Sequence, residues 1–289
     1  MSATAVQDFD LSEAEFRQIS DLVYEYCRIN LHDGKKDLVR ARIAKQLRAG
    51  GFASTEQYIQ HVRGDRSGRA LVMLVDSVST NLTSFFRESK HFDHLREKFL
   101  PNLIVQKRAQ KRCRMRAWSA GCSSGEEAYT LAMVLSEALR KQGAWDVKIL
   151  ATDISTRVLD IAKRGTYPKS CLRDVPQQLL GEYFASAAPS PDARPGEQAT
   201  YSVTSPLRNL VAFRRLNLMD SPWPFSGSFD FIFCRNVMIY FDKPTQERLV
   251  DRYWESLEPG GLLFTGHSES LTGIKHRFRY VEPTIYAKQ

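Results

Sequence analysis

The sequence predicts an α/β protein: a mainly parallel sheet with helices on both faces and a small β insertion, preceded by a small all-helical domain. Three observations predict it. The run Phe229 to Cys234, interrupted only by Asp230, leads through Arg235 and Asn236 into a helix-like segment, then Pro259-Gly260-Gly261, then a second apolar run ending at Gly266. That is a βαβ unit, and continuous rather than alternating apolar runs suit strands buried on both faces. Upstream, Arg116 to Tyr129 reads as a short strand turning through Gly121 and Gly125 into a long helix. Residues 1–78, by contrast, carry helical spacing and no catalytic-looking cluster. In parallel sheets of this kind ligands collect at the carboxyl ends of the strands, so Arg235 and Asn236 mark a binding site.

A chain of 289 residues can bury one large core, or one core with a small satellite domain. Its apolar share of 43% and charged share of 26% are those of a soluble globular chain, and no apolar run approaches the ~18 residues needed to span a membrane. Met1 to Asp10 is polar and acidic, unlike a signal peptide, so an intracellular, cytoplasmic protein is expected. Five cysteines, an odd number without a C-x-x-C pair, argue for reduced thiols and against a disulfide framework or a zinc site. The sequon Asn81-Leu82-Thr83 then has no glycosylation role, which leaves those residues another use.

The elements follow in order. Ser12 to Glu15 is a capping-box pattern, and Phe16, Ile19, Leu22, Val23 and Tyr26 come next at helical spacing. The following helix, Lys36 to Arg48, sets Val39, Ile43 and Leu47 in one stripe while Arg40, Arg42, Lys45 and Arg48 lie mostly elsewhere, and Gly50-Gly51 ends it. Helical patterns at Ser54 to Val62 and Ala70 to Val78 complete a domain over residues 1–78. Charge is uneven: residues 1–120 hold 21 Lys and Arg against 14 Asp and Glu, whereas 121–289 hold 20 against 19. The excess sits in the first part, and the basic helix reads either as a solvated face or as a dock for an acidic partner, nucleic acid or protein. Residues 79–116 form a bridge: a polar turn at Ser79 to Thr83, a helix with Phe92, Leu95 and Phe99 up to Pro101, and a basic run, Lys107 to Arg116, expected to coat the approach to the first strand.

The large domain spans 117–289. Its loop Gly121 to Gly125 lets the backbone approach a ligand, but the G-x-x-x-G spacing lacks a third glycine, and the next strand's acid, Asp153, comes late for a dinucleotide fingerprint. A pyrophosphate cofactor is disfavoured. Glu126 and Glu127 suit a cationic or zwitterionic ligand, or simply the positive end of their helix. Asp153, ending the second strand, has the two oxygens a ribose diol needs; capping the helix from Ser155 is the competing role. Phe213 to Leu218 reads as the end of a third strand, with Asn217 and Leu218 where adenine lies in nucleoside-binding sheets, before a turn at Ser221 to Pro224. The β insertion, at about 167–212, is built from pieces around Tyr167 and around Tyr201 to Val203, at the base of a proline-rich loop, Ala185 to Thr200. Two short strands, Phe278 to Val281 and Pro283 to Ala287, close the sheet as an antiparallel hairpin.

Four stretches carry a resemblance. Trp118 to Glu127, Thr80 to Arg87, Cys234 to Phe241 and Gly266 to Glu269 resemble, in order and spacing, the CheR family of chemoreceptor glutamate methyltransferases, and the likeness covers nearly the whole chain from about residue 10. The resemblance implies a Rossmann-like class I methyltransferase domain with a β insertion. It implies S-adenosylmethionine as donor, S-adenosylhomocysteine as product, no metal, and the glutamates of a methyl-accepting chemoreceptor's cytoplasmic domain as acceptors. By position it implies donor contacts from Asn81, Thr83 and Arg87 in the bridge, then from Glu127, Asp153, Asn217, Leu218, Arg235 and Asn236. It further implies recruitment to membrane receptor arrays, with neither nucleic acid nor membrane insertion; a monomer is expected. Gly121-Cys122 departs from the small residues common in the family's loop, and the 185–200 loop is long.

Such a reaction needs no strong base. A glutamate, with an ordinary pKa of about 4.3, is already the anionic nucleophile at neutral pH, and its charge is neutralised as the ester forms, so a water-poor site favours reaction and positioning is the main task. Arg87 and Tyr240 are expected to orient the acceptor carboxylate, Tyr240 because it lies just beyond a strand end; packing under the sheet edge is its competing role. His267 and Cys234 read as structural. Arg40, Arg42, Lys45 and Arg48 would then attract the acidic helices of the receptor. The alternatives are an RNA or other protein methyltransferase and a non-catalytic sensor of S-adenosylmethionine or S-adenosylhomocysteine. Among the former, amino-group enzymes often carry a double proline that Asn236 to Tyr240 lacks.

Overall fold

The computed structural model describes residues 10–187 and 199–289. The acidic start of the chain and most of the proline-rich loop lie outside the described residues. Those described fall into two compact units, 10–80 with 240–245 and 81–239 with 246–289.

The first unit is helical. Ser12 caps α1 (Glu13–Cys27): its hydroxyl accepts from the Glu15 amide at 3.3 Å while the Glu15 carboxylate takes the Ser12 amide at 3.0 Å. Two amides that the helix cannot satisfy are thereby closed reciprocally. Phe16, Ile19, Val23 and Cys27 recur on one face and are buried. A second helix, α2 (Lys36–Gly50), buries Val39, Ile43 and Leu47 and stops where Gly51 takes a left-handed φ of 68°. α3 (Thr55–Gly64), capped by Ser54, and α4 (Arg69–Val78), which buries Ala70, Leu74, Val75 and Val78, pack against both. Each buried side chain of this size contributes ~1.5–3 kcal/mol, so the apolar stripes rather than the charged exterior hold the unit together.

The second unit carries the ten strands found among the described residues: β1 (Arg114–Ala120), β2 (Asp146–Asp153), β3 (Thr166–Pro168), β4 (Phe184–Ala187), β5 (Thr200–Val203), β6 (Val211–Arg215), β7 (Phe229–Cys234), β8 (Leu257–Thr265), β9 (Arg279–Glu282) and β10 (Ile285–Ala287). Seven form one sheet in the order β6-β2-β1-β7-β8-β10-β9. By order of appearance within that sheet this is 3-2-1-4-5-7-6, the doubly wound Rossmann-like arrangement with an added last pair. The first five strands run parallel, Trp118 of β1 standing opposite Leu150 of β2 and Ile232 of β7, and β10 is antiparallel to β8 and β9. A separate antiparallel sheet, β3-β5-β4, is the insertion.

All six residues of β7 are buried, Asp230 included, as a strand covered on both faces requires. The helical run from α5 (Lys90–His94) through a π-turn at Leu95–Phe99 into α6 (Leu100–Ala109) covers part of the sheet: Phe92 stacks on Phe233 at 5.5 Å, and Phe233 on Phe264 at 4.3 Å. One expectation fails here. Lys107, placed by the sequence reading on a basic surface run, is buried, its ammonium against the Asp230 carboxylate and 2.7 Å from the Arg114 carbonyl. Asp230 interrupts the apolar β7 run, and a carboxylate so deeply buried requires a counter-charge, which the last turns of α6 supply. No helix among the described residues is long and apolar enough to cross a membrane, and all five thiols are free.

Candidate active site

The strand order reverses between β1 and β7, and the loops leaving their carboxyl ends open the crevice where doubly wound sheets take ligands. After β1 the chain turns through Gly121, Ser123 and Gly125, at φ of 92°, 49° and 97°, into α7 (Glu126–Leu139). The Gly121 and Cys122 amides both donate to the Thr152 carbonyl at 2.8 Å, and the Ser123 amide donates to Asp153 Oδ2 at 2.8 Å. A side chain at Gly121 would lie 2.3 Å from Val237 Cγ2, so the loop is seated between the end of β2 and the segment after β7.

α7 opens with two acids in different settings. Glu126 accepts from the Ser124 hydroxyl at 2.7 Å, and Glu127 from the Ser119 hydroxyl at 2.6 Å and from Arg235 Nη1 at 3.3 Å. Burial pushes both carboxyls up, against the pull of these donors. Arg235, its side chain 2% exposed, spans two carboxylates: it also reaches Glu88 Oε2 through Nη2 at 3.0 Å and Nε at 3.3 Å, and Nη2 donates to the Arg87 carbonyl. Burial alone would raise Glu88, but the Arg235 charge and the Asn236 amide, 3.3 Å from Oε1, outweigh it and hold this carboxyl below its ordinary range. Asn236 stands at φ 58°, its backbone amide drawn with those of Gly266 and Ile239 to the buried Glu269 carboxylate at 2.7, 2.6 and 3.0 Å.

The other residues expected from the sequence lie around this network. Asp153 takes the Ser123 amide on one oxygen and the Ser155 amide, at 2.9 Å, on the other, which closes the turn before α8 (Thr156–Arg164), whose own N-cap residue Ser155 makes no side-chain cap bond. The Leu216 amide bonds the Asp153 carbonyl at 3.0 Å, which sets the following Asn217 and Leu218, both nearly buried, beside the end of β2. Asn81 adjoins the glycine loop: its carbonyl accepts from the Ser123 hydroxyl at 3.0 Å, and its Nδ2 is buried with no protein partner. Thr83 is half-buried in the same stretch. Arg87 donates from Nη1 to the Leu82 carbonyl at 2.7 Å, closing its own turn, and its positive charge favours ionised Glu127.

Three residues of this network were missed by sequence reasoning. Glu88 stands one position beyond the motif that ends at Arg87, in a turn that holds Phe86 and Glu88 at φ 53° and 55°; no residue pattern announces a left-handed turn without glycine. Glu269 closes the Gly266 to Glu269 motif, whose recurrence could have marked it. His91 is buried, with Nε2 2.8 Å from Thr284 Oγ1 and Nδ1 3.6 Å from Glu88 Oε2. The direction of the His91–Thr284 bond follows the imidazole tautomer, and Nδ1 faces Glu88. Burial and the Arg235 charge lower this imidazole to about 3, so it is neutral. His267, about half exposed, lies 3.9 Å from the same Glu88 oxygen.

The insertion meets the site through Tyr167, whose hydroxyl donates to the Ser124 carbonyl at 2.7 Å, and through Phe85, which packs on Tyr167 and Phe184 at 5.1 and 5.5 Å. In the helical unit, Arg40, Arg42, Lys45 and Arg48 are all exposed on α2, Arg40 paired with Asp37 at 3.2 Å. Tyr240 groups with that unit: its carbonyl accepts the Asn30 amide at 2.8 Å and its ring lies 4.3 Å from Lys35 Nζ.

Comparison with known proteins gives two family matches. Residues 81–287 match the family model described as the SAM binding domain of CheR methyltransferase, and residues 14–79 match its all-alpha domain. A chemotaxis protein methyltransferase of Borreliella burgdorferi is 39% identical over 282 residues, covering 97% of this chain and 96% of that protein. Chemotaxis protein methyltransferase 2 of Pseudomonas aeruginosa is 39% identical over 283 residues (97% and 95%), and the Escherichia coli chemotaxis protein methyltransferase is 37% identical over 278 (96% and 91%).

Proposed function

The chain belongs to the CheR methyltransferase family, and from it we propose that this S-adenosylmethionine-dependent enzyme esterifies glutamate side chains in the cytoplasmic domain of chemoreceptors. The observation that carries the donor half of this reading is the acid-rich crevice at the switch point: Glu88, Glu127 and Asp153 stand nearly out of water against the single buried guanidinium of Arg235, beside the unpartnered amide of Asn81. These groups fit a zwitterionic nucleoside carrying an extra positive charge. Asp153 would accept from ribose hydroxyls, Asn217 and Leu218 would flank the adenine, Glu127 would meet the ammonium, and Asn81 with Thr83 would hydrogen-bond the amino-acid end. Arg235 already bonds two acids and a carbonyl, so its part is to hold those carboxylates, and Asn236 is held beside it by Glu269.

S-adenosylmethionine supplies, when bound, an electrophilic methyl group on a sulfonium. The protein's own task is positioning and exclusion of water, since the acceptor is anionic without a base. Arg87 is the residue for orienting the acceptor carboxylate, and Tyr240 is the second candidate for that role. The exposed cations of α2 suit an acidic receptor helix, which would bring this enzyme to receptor arrays on the cytoplasmic side. Incubation of the protein with radiolabelled S-adenosylmethionine and receptor-bearing membranes should label receptor, and alkali should release the label as methanol. Base-stable label, or label recovered in RNA, would overturn the ester assignment. Normal turnover in Arg87→Ala would remove that residue from its role.

A further inference from the structure

We propose that Tyr167 is a positioning residue through which the β insertion holds the donor loop in shape, an inference that rests on the donor reading above. Tyr167 lies in β3 of the insertion and is 2% exposed, yet its hydroxyl meets the glycine loop of the large sheet, at the Ser124 carbonyl 2.7 Å away. Burial raises this phenol well above its ordinary 10, so it stays a proton donor at any working pH.

The bond fixes one peptide plane. On the other side of the Ser124–Gly125 unit the Gly125 amide donates to the Cys122 carbonyl at 3.0 Å, so the plane is held at both ends. The bond that opens α7 runs from the Tyr129 amide to the Gly125 carbonyl at 2.9 Å, one residue further on, and leaves the Ser124 carbonyl to Tyr167. Freed of that hydroxyl the plane can turn, because it adjoins a glycine at φ 97°, for which neither hand of backbone is strongly excluded. The donor side of the loop would turn with it. The Ser123 amide and hydroxyl reach Asp153 Oδ2 and the Asn81 carbonyl at 2.8 and 3.0 Å, the Ser124 hydroxyl reaches Glu126 at 2.7 Å, and Glu127 follows directly.

The same ring braces the second donor segment. Phe85, fully buried, meets Tyr167 edge-on at 5.1 Å and Phe184 of β4 at 5.5 Å. Two strands of the insertion thus clamp the stretch that carries Asn81, Thr83 and Arg87. The fit at the loop is close as well: a methyl group added at Gly125 would lie 3.0 Å from the Tyr167 oxygen and 2.8 Å from Ala162 Cβ. Phenylalanine would fill the same space; the hydroxyl is what it would lack.

The test uses the full chain and Tyr167→Phe, which keeps the ring against Phe85 and removes only the hydroxyl. Stranding a buried carbonyl in the loop should weaken S-adenosylmethionine roughly tenfold in calorimetric titration. In receptor methylation the donor KM should rise by the same factor while kcat at saturating donor stays within about twofold, the pattern of lost donor binding rather than lost fold. Ser202→Ala is the control: it removes the Thr166–Ser202 hydroxyl contact at 2.9 Å, on the face of β3 opposite Tyr167, and should leave donor affinity at the wild-type value. Donor affinity of Tyr167→Phe within about twofold of wild type, an equal loss in Ser202→Ala, or a fall in kcat with donor KM unchanged would overturn the proposal. Should Tyr167→Phe not fold, hydrogen exchange on the wild type decides: the coupling runs both ways, so the donor should slow exchange of the β3 and β5 amides, and unchanged exchange there would refute it. A wild type that binds no S-adenosylmethionine would instead bring down the donor reading itself, and this inference with it.

Discussion

Replacing Gly266 with alanine tests how tightly the Asn236 corner is built. An added methyl group would lie 2.6 Å from Asn236 Nδ2, 2.7 Å from Glu269 Oε2 and 2.8 Å from Asn236 N, each closer than such contacts can stand. The neighbours have little room to retreat. Glu269 is 5% exposed, its carboxylate gathers the amides of Asn236, Gly266 and Ile239, and its carbonyl takes the Thr265 hydroxyl at 2.8 Å. Relief must come from moving the Asn236 backbone or from breaking one of the bonds to Glu269. Overpacking of a tight site costs ~1–3 kcal/mol, and the melting point of a domain this size falls ~2–4 °C per kcal/mol, so a drop of roughly 2–12 °C is expected in Gly266→Ala. Donor affinity should fall with it, because Asn236 and, through Glu88, Arg235 lose their alignment. Gly181→Ala is the control: nothing stands within 4 Å of the new methyl group there, and its helix should melt no earlier. Thermal melting and calorimetric titration with S-adenosylmethionine read both effects. Gly266→Ala with a wild-type melting point and wild-type affinity would show that the corner yields freely and that the network does not align Asn236.

Lys107→Met should cost ~3–5 kcal/mol, read as a lower urea midpoint, because it leaves the Asp230 carboxylate buried without its counter-charge; a loss under ~1 kcal/mol would mean that water reaches the pair. His91 is held from its ordinary 6.5 down to about 3, so the unfolded chain binds a proton that the folded one refuses: the stability tied to it is full above about pH 6.5 and is lost as pH falls from there towards 3. His91→Gln should therefore flatten the decline of melting temperature between pH 6.5 and 5, and slopes identical to wild type would refute the assignment. Arg40→Glu with Arg42→Glu should slow receptor methylation at low salt while leaving donor affinity unchanged; a double change is needed because single exposed charge pairs contribute only ~0–1 kcal/mol, and equal rates at low salt would remove α2 from the partner surface.

The parts of this fold legible in the sequence are those with a period or a chemical punctuation mark. The Phe229 to Cys234 run, the capping box at Ser12 and the Val39, Ile43, Leu47 stripe each state their element locally. Asp153 and the glycine loop were legible because strand ends in parallel sheets gather ligands. Glu88 was not, since its role follows from a left-handed turn and from partners 147 residues away at Arg235. Lys107 was misread for a related reason: a basic run looks like surface, and only the packing of α6 over Asp230 shows which member faces inward.

The role of Arg235 is decided by charge rather than by proximity to a strand end. Were it a direct holder of the donor's carboxylate, its guanidinium would have to leave Glu88 or Glu127, and a buried acid deprived of its partner costs ~3–5 kcal/mol. The arrangement instead leaves Glu88, Glu127 and Arg235 with one net negative charge among them, to which the nearby Asp153 adds, and that charge opposes an anionic acceptor. Two unit charges ~8 Å apart at an effective dielectric constant of ~20 interact by ~2 kcal/mol, so an approaching carboxylate would be disfavoured by a comparable amount unless a cation accompanies it. Arg87, by contrast, donates to the Leu82 backbone carbonyl in its own turn. It can turn to a carboxylate without stranding a buried charge, and on the reading proposed above that separates its work from that of Arg235: one arginine keeps the buried acids paired, the other is available to the acceptor glutamate.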